Sequence, residues 1–175
     1  MKIEPWSPEQ ALAGIEELNA LLTDSVDNGA SIGFLPPLSA EESTAYWAGV
    51  AAEVRAGEKF LLVARNDAGM LVGSAQLALA SKANARHRAE VQKVMVHTAA
   101  RRQGLAFALM HALDALAQQH GRTLLVLDTR QGDPSEQLYQ KCGYTMAGVI
   151  PAYARNGDGG LDATVLYYRQ LPAML

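Results

Sequence analysis

The sequence contains one cysteine, Cys142, among 175 residues. A lone cysteine excludes an internal disulfide framework and a zinc site built from several thiolates, and it is typical of a protein in a reducing compartment. No apolar run approaches the roughly 18 residues that cross a bilayer, and the first ten residues lack the apolar core of a signal peptide. We therefore expect a soluble, cytoplasmic protein without a membrane partner.

An excess of charge of one sign is also missing. The chain has 15 Lys and Arg against 18 Asp and Glu, a net charge of −3, which argues against a nucleic-acid partner and a polybasic membrane anchor. Apolar residues make up 49% and charged residues 19%, which excludes a disordered chain. We interpret residues 1–175 as one domain. The sequence leaves a homodimer open.

Two helices are predicted before the first strand signals. A serine cap and a proline open a helix whose apolar spacing runs over residues 7–22. Residues 27–37 contain two glycines and two prolines and are predicted to form a loop. Ser39 and Glu42 form a capping box, which opens a helix that ends near residue 56.

The middle of the chain predicts strands around one long helix. Segments 59–65 and 70–79 flank a turn and predict a hairpin, and a valine-rich strand follows at 89–97. A helix over 102–120 precedes the apolar run 123–127, which is typical of a strand covered on both faces. Two strands joined by one helix lie parallel, so these elements predict a parallel pair.

A short helix and two strands are predicted to close the fold. Asp133 is the expected cap of a helix that ends at Gly143. Segments 144–150 and 164–169 predict two strands, joined through the Gly- and Asp-rich segment 156–160. The predicted fold class is therefore α/β with a mixed sheet.

A glycine-containing loop precedes the long helix: Arg101-Arg102-Gln103-Gly104-Leu105-Ala106. The first amides of a helix have no internal partners, and the helix dipole adds positive charge there. The glycine admits a phosphate close to the backbone, and the arginines add fixed charge. The loop therefore predicts a pyrophosphate cradle, although it is neither a dinucleotide fingerprint nor a P-loop. The alternative is an ordinary helix start with solvated arginines.

Two motifs in this order resemble one enzyme family. The loop spacing [Gln/Arg]-x-x-Gly-x-[Gly/Ala] resembles the coenzyme A loop of the GCN5-related N-acetyltransferases, the GNAT family. Gln137 to Tyr144 (QLYQKCGY) resembles the closing signature of that family, Leu-Tyr-x-x-x-Gly-[Phe/Tyr]. The resemblance implies a mixed, mostly antiparallel sheet with a central parallel strand–helix–strand unit and flanking helices. It also implies acetyl-CoA as the co-substrate.

The resemblance also implies how the co-substrate binds. The pantetheine arm would pair in a strand-like manner with the backbone of Val94, Met95 and Val96. The pyrophosphate would be held by backbone amides of the loop residues Arg101, Arg102, Gln103, Gly104, Leu105 and Ala106. In that family two parallel strands separate, and the acetyl group enters the gap. Neither a separation nor a bulge is visible in the sequence.

Three side chains are candidates for the proton transfers. An aliphatic amine with a pKa near 10 is only about 0.1% neutral at pH 7, so a carboxylate has to take its proton, directly or through water. Asp128 follows the apolar run at the strand end where α/β folds open their clefts. Glu90 begins the valine-rich strand, and Tyr139 lies on the short helix. The alternatives are a turn aspartate, an exposed edge charge and a core tyrosine.

The geometry of a regular strand makes one further prediction. Alternation places four residues on one face unless a bulge intervenes: Glu90, Gln92, Val94 and Val96.

The family resemblance implies that the Tyr139 hydroxyl lies beside the thioester sulfur and donates a proton to it.

Other reactive side chains are given structural interpretations. Cys142 is interpreted as a buried thiol rather than a nucleophile. The four histidines are dispersed without zinc-ligand spacing, so we expect no metal, and His111 and His120 are predicted to lie on the surface. Tyr46 and Trp47 either line the acceptor pocket or pack in the core.

Further segments resemble the tabtoxin-resistance acetyltransferases within this family: Gly29–Phe34 (GASIGF), Arg88–Lys93 (RAEVQK) and Leu127–Thr129 (LDT). This resemblance implies that Glu90 and Asp128 flank the acceptor and that residues 29–34 form a wall of its pocket. Ala106 replaces a glycine of that group, and homologues of one fold differ in substrate.

The function implied is acetyl transfer to the amine of a small amino-acid-like acceptor, such as the toxin tabtoxinine-β-lactam or an antibiotic, by direct attack in a ternary complex. Glu90 and Asp128 would act as base or water-positioning groups and Tyr139 as the acid, and an amide near Met95 would polarise the thioester carbonyl. The alternatives are a protein acetyltransferase acting on lysines or N-termini and a non-catalytic acyl-CoA-binding module.

Overall fold

The computed structural model describes residues 1–172, so the last three residues of the predicted domain 1–175 lie outside it. In chain order the elements are β1 Lys2–Trp6, α1 Pro8–Ala13, α2 Ile15–Asp27, α3 Ala40–Arg55, β2 Lys59–Arg65, β3 Leu71–Leu79, β4 Arg88–Val96, α4 Leu105–Gln119, β5 Leu124–Arg130, α5 Ser135–Lys141, β6 Thr145–Arg155 and β7 Leu161–Gln170. Within the described range the strands form a seven-stranded sheet in the order β1-β2-β3-β4-β5-β7-β6. Strands β4 and β5 are parallel and the other neighbours are antiparallel, which confirms the predicted fold class.

The sheet separates two hydrophobic clusters. Alternate residues of β2 point to opposite faces, as strand geometry requires. Leu62 packs in a cluster with α4, whereas Leu61 packs in a cluster with helices α1, α2 and α3. No helix of residues 1–172 is long and apolar enough to cross a bilayer.

The predicted helix over residues 7–22 is divided at Gly14 into α1 and α2. The Ser7 cap and its capping box are present as expected. The division arises because Trp6, at the end of β1, packs onto Gly14, where an added Cβ would lie 2.5 Å from two ring carbons of the indole. Strand β1 itself was not predicted, since its sequence is only five residues long and contains a proline, which is unfavourable within a strand.

Replacing Gly14 with alanine should destabilise the protein by about 1–2 kcal/mol, because overpacking against Trp6 outweighs the better helix propensity of alanine. The matched control is Gly49→Ala in α3, where an added Cβ meets no atom within 4 Å. The free energy of unfolding of that variant should exceed that of the wild type by about 0.5–1 kcal/mol. Urea unfolding of both variants tests the prediction, and an equal stabilisation of both would contradict it.

Strand β4 carries a bulge at Lys93 and Val94. Gln92 pairs with Gln76 and Met95 pairs with Ser74, so two residues of β4 lie opposite one residue of β3. Lys93 has a φ of 49°, in the left-handed region that non-glycine residues rarely adopt. A bulge of this kind bends its strand and redirects the side chains that follow it.

The bulge overturns the prediction that Glu90, Gln92, Val94 and Val96 share one face. Ala89 and Val91 pack against the α4 cluster, so Glu90 and Gln92 point to the opposite face. After the bulge, Val94 and Val96 pack against the α4 cluster, and Met95 turns to the cluster of α1–α3. The extra residue inverts the alternation after Gln92, so Val94 and Val96 face α4 whereas Glu90 and Gln92, which precede the bulge, face away from it.

Strands β4 and β5 are paired at Arg88–Leu124, Ala89–Leu125 and Glu90–Val126. Beyond Glu90, β4 stays paired with β3 and β5 stays paired with β7. The two parallel strands therefore separate at their carboxyl ends, as the family resemblance implied.

Strand β5 differs from its prediction in two ways. Leu125 and Leu127 are buried against α4, but Leu124 and Val126 are half-buried and Asp128 is exposed. The prediction that both faces are covered is wrong, because the face that carries Leu124, Val126 and Asp128 is only partly buried and reaches the cleft at Asp128. The strand continues to Arg130, so Asp128 lies within it rather than after it.

Two helices begin later in the chain than the sequence predicts. The α5 helix begins at Ser135 without a side-chain cap from the described residues, and the Asp133 carboxylate pairs with the Arg130 guanidinium at 2.8 Å instead. The α4 helix begins at Leu105, because Arg102 and Gly104 have φ values of 61° and 79° and cannot continue a helix. Strands β6 and β7 are longer than predicted.

Candidate active site

The gap between β4 and β5 opens into a cleft of about 390 Å³. Its walls come from the loop at residues 30–33, from β4, from β5 with the segment that follows it, and from the β6–β7 hairpin. Glu90, Asp128 and Tyr139 all line it. The three predicted catalytic residues, which are far apart in the sequence, therefore meet in one cavity.

Asp128 is held by a hydroxyl group of the neighbouring strand. The Oγ1 atom of Thr164 lies 2.9 Å from Asp128 Oδ2 and 2.9 Å from the carbonyl of Thr129. This contact orients the carboxylate and leaves its second oxygen available to the cleft. Asp128 makes no ion pair with another described residue, which suits a group that receives a proton.

Glu90 stands at the last paired position of β4, where the strands begin to separate. Gln92 Nε2 donates a hydrogen bond of 3.0 Å to Glu90 Oε1. The Glu90 side chain points away from α4, so its carboxylate faces the same cleft as Asp128.

Tyr139 projects from α5 and is 7% exposed. Burial, with the charge of Asp128 adding to it, raises the pKa of the Tyr139 hydroxyl well above its usual range. Within residues 1–172 this hydroxyl makes no hydrogen bond. It is thus a protonated donor that lines the cleft and has its hydrogen free.

Lys93 is a cleft residue that the sequence prediction missed. Its Nζ lies 5.8 Å from the ring centre of Phe34 and 5.7 Å from that of Tyr46, within cation–π range. Burial lowers the Lys93 pKa, as does the charge of Lys59, whereas Asp128 and Glu90 oppose the shift. The signal that could have revealed it is a lysine inside a valine-rich strand, because a charge there needs water or an opposite charge.

The remaining side chains with an interpretation from the sequence divide between the cleft, the core and the surface. Tyr46 lines the cleft and its hydroxyl bonds with Gln76, whereas Trp47 is buried in the core. Cys142 is buried and burial raises its pKa, and His111 and His120 are exposed as predicted. In the described part of the chain no cluster of His, Cys, Asp and Glu could hold a metal ion.

The loop before α4 is preorganised by its neighbours. Asp24 of α2 accepts hydrogen bonds from the Thr98 amide at 2.9 Å and from its hydroxyl at 2.7 Å. Arg101 Nε donates to the Val96 carbonyl at 3.2 Å. These contacts join the end of β4 and the turn Thr98–Ala100 to the body of the protein and support the start of the loop.

The same loop presents a suitable surface for a diphosphate. Residues 101–104 are exposed, and no side chain of residues 1–172 caps the first amides of α4. An added Cβ at Gly104 would meet no atom within 4 Å, so the backbone is open to a close approach. Uncovered amides, a helix dipole and two arginines together fit the diphosphate of coenzyme A.

Strand β4 offers the matching site for an extended arm. Once β5 departs after Glu90, the edge of β4 that faced it is open along Val94 and Met95. An open strand edge binds an extended amide-containing chain by main-chain hydrogen bonds. The residues present therefore fit both the pantetheine arm and the diphosphate.

Known structures share this fold. The chain aligns with a ribosomal-protein-alanine N-acetyltransferase from Brucella melitensis at a TM-score of 0.81 and 22% identity, covering 98% of this chain and 100% of that one. A phosphinothricin acetyltransferase from Sinorhizobium meliloti in complex with acetyl-CoA aligns at a TM-score of 0.80 and 19% identity, covering 97% of this chain and 88% of that one. An N-acetyltransferase from Staphylococcus aureus aligns at a TM-score of 0.81 and 18% identity, covering 98% of each chain.

The family comparison extends over most of the chain. The sequence model of the acetyltransferase (GNAT) family matches residues 16–144. That range contains all of α2 but its first residue, together with α3, the loop before α4 and the Tyr139 helix. The chain therefore belongs to the GNAT family of acetyltransferases and is an acetyl-CoA-dependent enzyme.

Proposed function

We propose that this enzyme acetylates the amine of a small amino-acid-like acceptor by direct attack within a ternary complex. The observation that carries the proposal is the cleft itself, where Glu90, Asp128 and the Tyr139 hydroxyl converge at the separation of β4 and β5. We interpret residues 1–175 as one acetyltransferase domain.

For the co-substrate, we assign backbone pairing with the pantetheine arm to Val94, Met95 and Val96, although the Val96 carbonyl already accepts a bond from Arg101. The diphosphate is assigned to the amides of the loop Arg101, Arg102, Gln103, Gly104, Leu105 and Ala106. An amide near Met95 polarises the thioester carbonyl. Acetyl-CoA supplies an activated acyl carbon and a thiolate leaving group.

The carboxylates serve the amine. Glu90 and Asp128 take its proton, directly or through one water molecule, which frees the nitrogen lone pair for attack on the acyl carbon. A nitrogen–carbon bond forms and the carbon–sulfur bond breaks, so the electron pair of that bond goes to sulfur. Two acids within one cleft suit this step because they favour binding of the ammonium form and then receive its proton.

Tyr139 serves the leaving group. Its raised pKa lies far above the roughly 8.5 of a thiol, so complete proton transfer from tyrosine to the thiolate is unfavourable. The hydroxyl instead donates a hydrogen bond to sulfur as negative charge develops there, and water supplies the proton that the thiolate finally takes. Tyr139 thus acts as a fixed donor for transition-state charge.

The acceptor class is inferred from the closed side of the cleft. The loop 30–33 forms a wall over it, which restricts entry of a folded protein surface. This loop belongs to the GASIGF segment that resembles the tabtoxin-resistance acetyltransferases, so we include toxins and antibiotics that are amino acids, such as tabtoxinine-β-lactam, among the acceptors.

A thiol-release assay with acetyl-CoA tests the proposal. Free amino acids, tabtoxinine-β-lactam and phosphinothricin form one series, and peptides with a lysine or a free N-terminal amine form the other. We expect kcat/KM at least about tenfold higher for the best free amino compound than for the best peptide. A preference for peptides would instead identify a protein acetyltransferase.

A further inference from the structure

Four of the seven charged side chains that line the cleft form ion pairs with described residues. Arg130 lies 2.8 Å from Asp133 and 3.6 Å from Asp162, and Lys59 lies 2.5 Å from Glu53 on α3. Three charged side chains of the cleft make no ion pair within residues 1–172: Lys93, Glu90 and Asp128. The unpaired set is therefore one cation and two carboxylates.

Lys93 is held in place although Asp128 and Glu90 act on its charge only from beyond ion-pair distance. Its backbone lies at the bulge of β4, and its Nζ contacts the faces of two aromatic rings, from Phe34 and Tyr46. The Nζ also lies 3.5 Å from the position that a Cβ would occupy on Gly33. The ammonium group is thus held between the loop 30–33 and the cleft.

The environment of Lys93 is costly for a charge. A partly desolvated ammonium without an acid partner loses hydration that the ring faces replace only in part. The lowered pKa of Lys93 reflects the same cost. An anion that entered the cleft would restore the missing interaction, and a hydrogen bond between two charged groups is stronger than one between neutral groups.

We propose that Lys93 binds the carboxylate of the acceptor while Glu90 and Asp128 receive its amino group. This inference rests on the proposed function and names the group that the enzyme recognises. One cation and two acids complement a molecule that carries both a carboxylate and an ammonium group. The side-chain amine of a lysine within a peptide carries no adjacent carboxylate, so it would leave Lys93 unpaired in the occupied cleft.

Matched substrates and variants test this role. The probes are the best free amino acid of the panel and its carboxamide, which keeps the amine but replaces the carboxylate with a neutral group. Wild-type kcat/KM should favour the acid at least about tenfold. Lys93→Met keeps the length of the side chain and should raise KM for the acid about 10- to 100-fold, with little change in kcat or in the carboxamide reaction. Lys93→Arg should restore part of the preference.

The control variant is Lys82→Met, which changes an exposed lysine outside the cleft and should leave both reactions unchanged. If Lys93→Met retains the preference for the acid, or lowers both reactions equally, the assignment of Lys93 is wrong while the proposed function stands. If the wild type acetylates peptides but neither the acids nor the carboxamides, the inference and the proposed function both fail. Unfolding curves should show Lys93→Met at least as stable as the wild type, since it removes a desolvated charge.

Discussion

Replacing Tyr139 with phenylalanine should lower kcat about 100-fold, because the variant loses a fixed donor at the sulfur where charge develops. Its hydroxyl makes no hydrogen bond within residues 1–172, so its removal breaks no described interaction of the folded protein. Stability should therefore stay within about 0.5 kcal/mol of the wild type. The measurements are steady-state thiol release at saturating acetyl-CoA and urea unfolding.

Tyr144→Phe is the matched control. The Tyr144 hydroxyl is buried without a hydrogen-bond partner in the described structure, and its ring centre lies 6.1 Å from that of Tyr139. Tyr144 does not line the cleft. This variant should retain the wild-type kcat. If Tyr139→Phe also retains it, the hydroxyl does not act on the leaving group, and equal losses in both variants would indicate a packing effect.

Elements with local signals were predicted well. Residues 59–65 form β2 with the predicted bounds, since an apolar run of Phe, Leu, Leu, Val and Ala is followed closely by a turn of Asn, Asp and Gly. Ser39 accepts a hydrogen bond from the Glu42 amide, which is one of the two bonds of the predicted capping box. The pairing partner and the turn chemistry lie within a few residues of one another in these cases, so the sequence window contains the cause.

Features that depend on distant contacts were missed. The break at Gly14 needs the Trp6 ring, which β1 places there through its pairing with β2. The bulge at Lys93 depends on the register with β3, and a window of sequence cannot show that register. Because the bulge decides which side chains of β4 reach the cleft, Lys93 was absent from the predicted site although Glu90, three residues before it, was included.

The buried ion pair between Asp114 and Arg169 should provide the largest stability effect of a single change. Arg169 Nη1 donates a hydrogen bond of 2.6 Å to Asp114 Oδ2, and the Asp114 side chain is 9% exposed. Arg169→Met leaves a buried carboxylate without its cation, which should destabilise the protein by about 3 kcal/mol at pH 7. The double variant Asp114→Leu with Arg169→Met should recover most of that loss, because it removes both charges. Urea unfolding measures each free energy.

The loss of stability in Arg169→Met should become smaller as pH falls. Burial already raises the Asp114 pKa, and the charge of Arg169 opposes that rise, so the variant raises it further. A folded-state pKa above the ordinary value of about 3.9 means that the folded state holds the proton more tightly than the unfolded state. The deficit should therefore shrink as pH falls from 7 toward 5. The Nδ1 atom of His111 lies 3.8 Å from Asp114 Oδ2, so a second titratable side chain faces this carboxylate. The stability difference is therefore also measured with His111→Gln in both proteins. If the difference then stays constant with pH, titration of Asp114 is not the cause of the pH dependence.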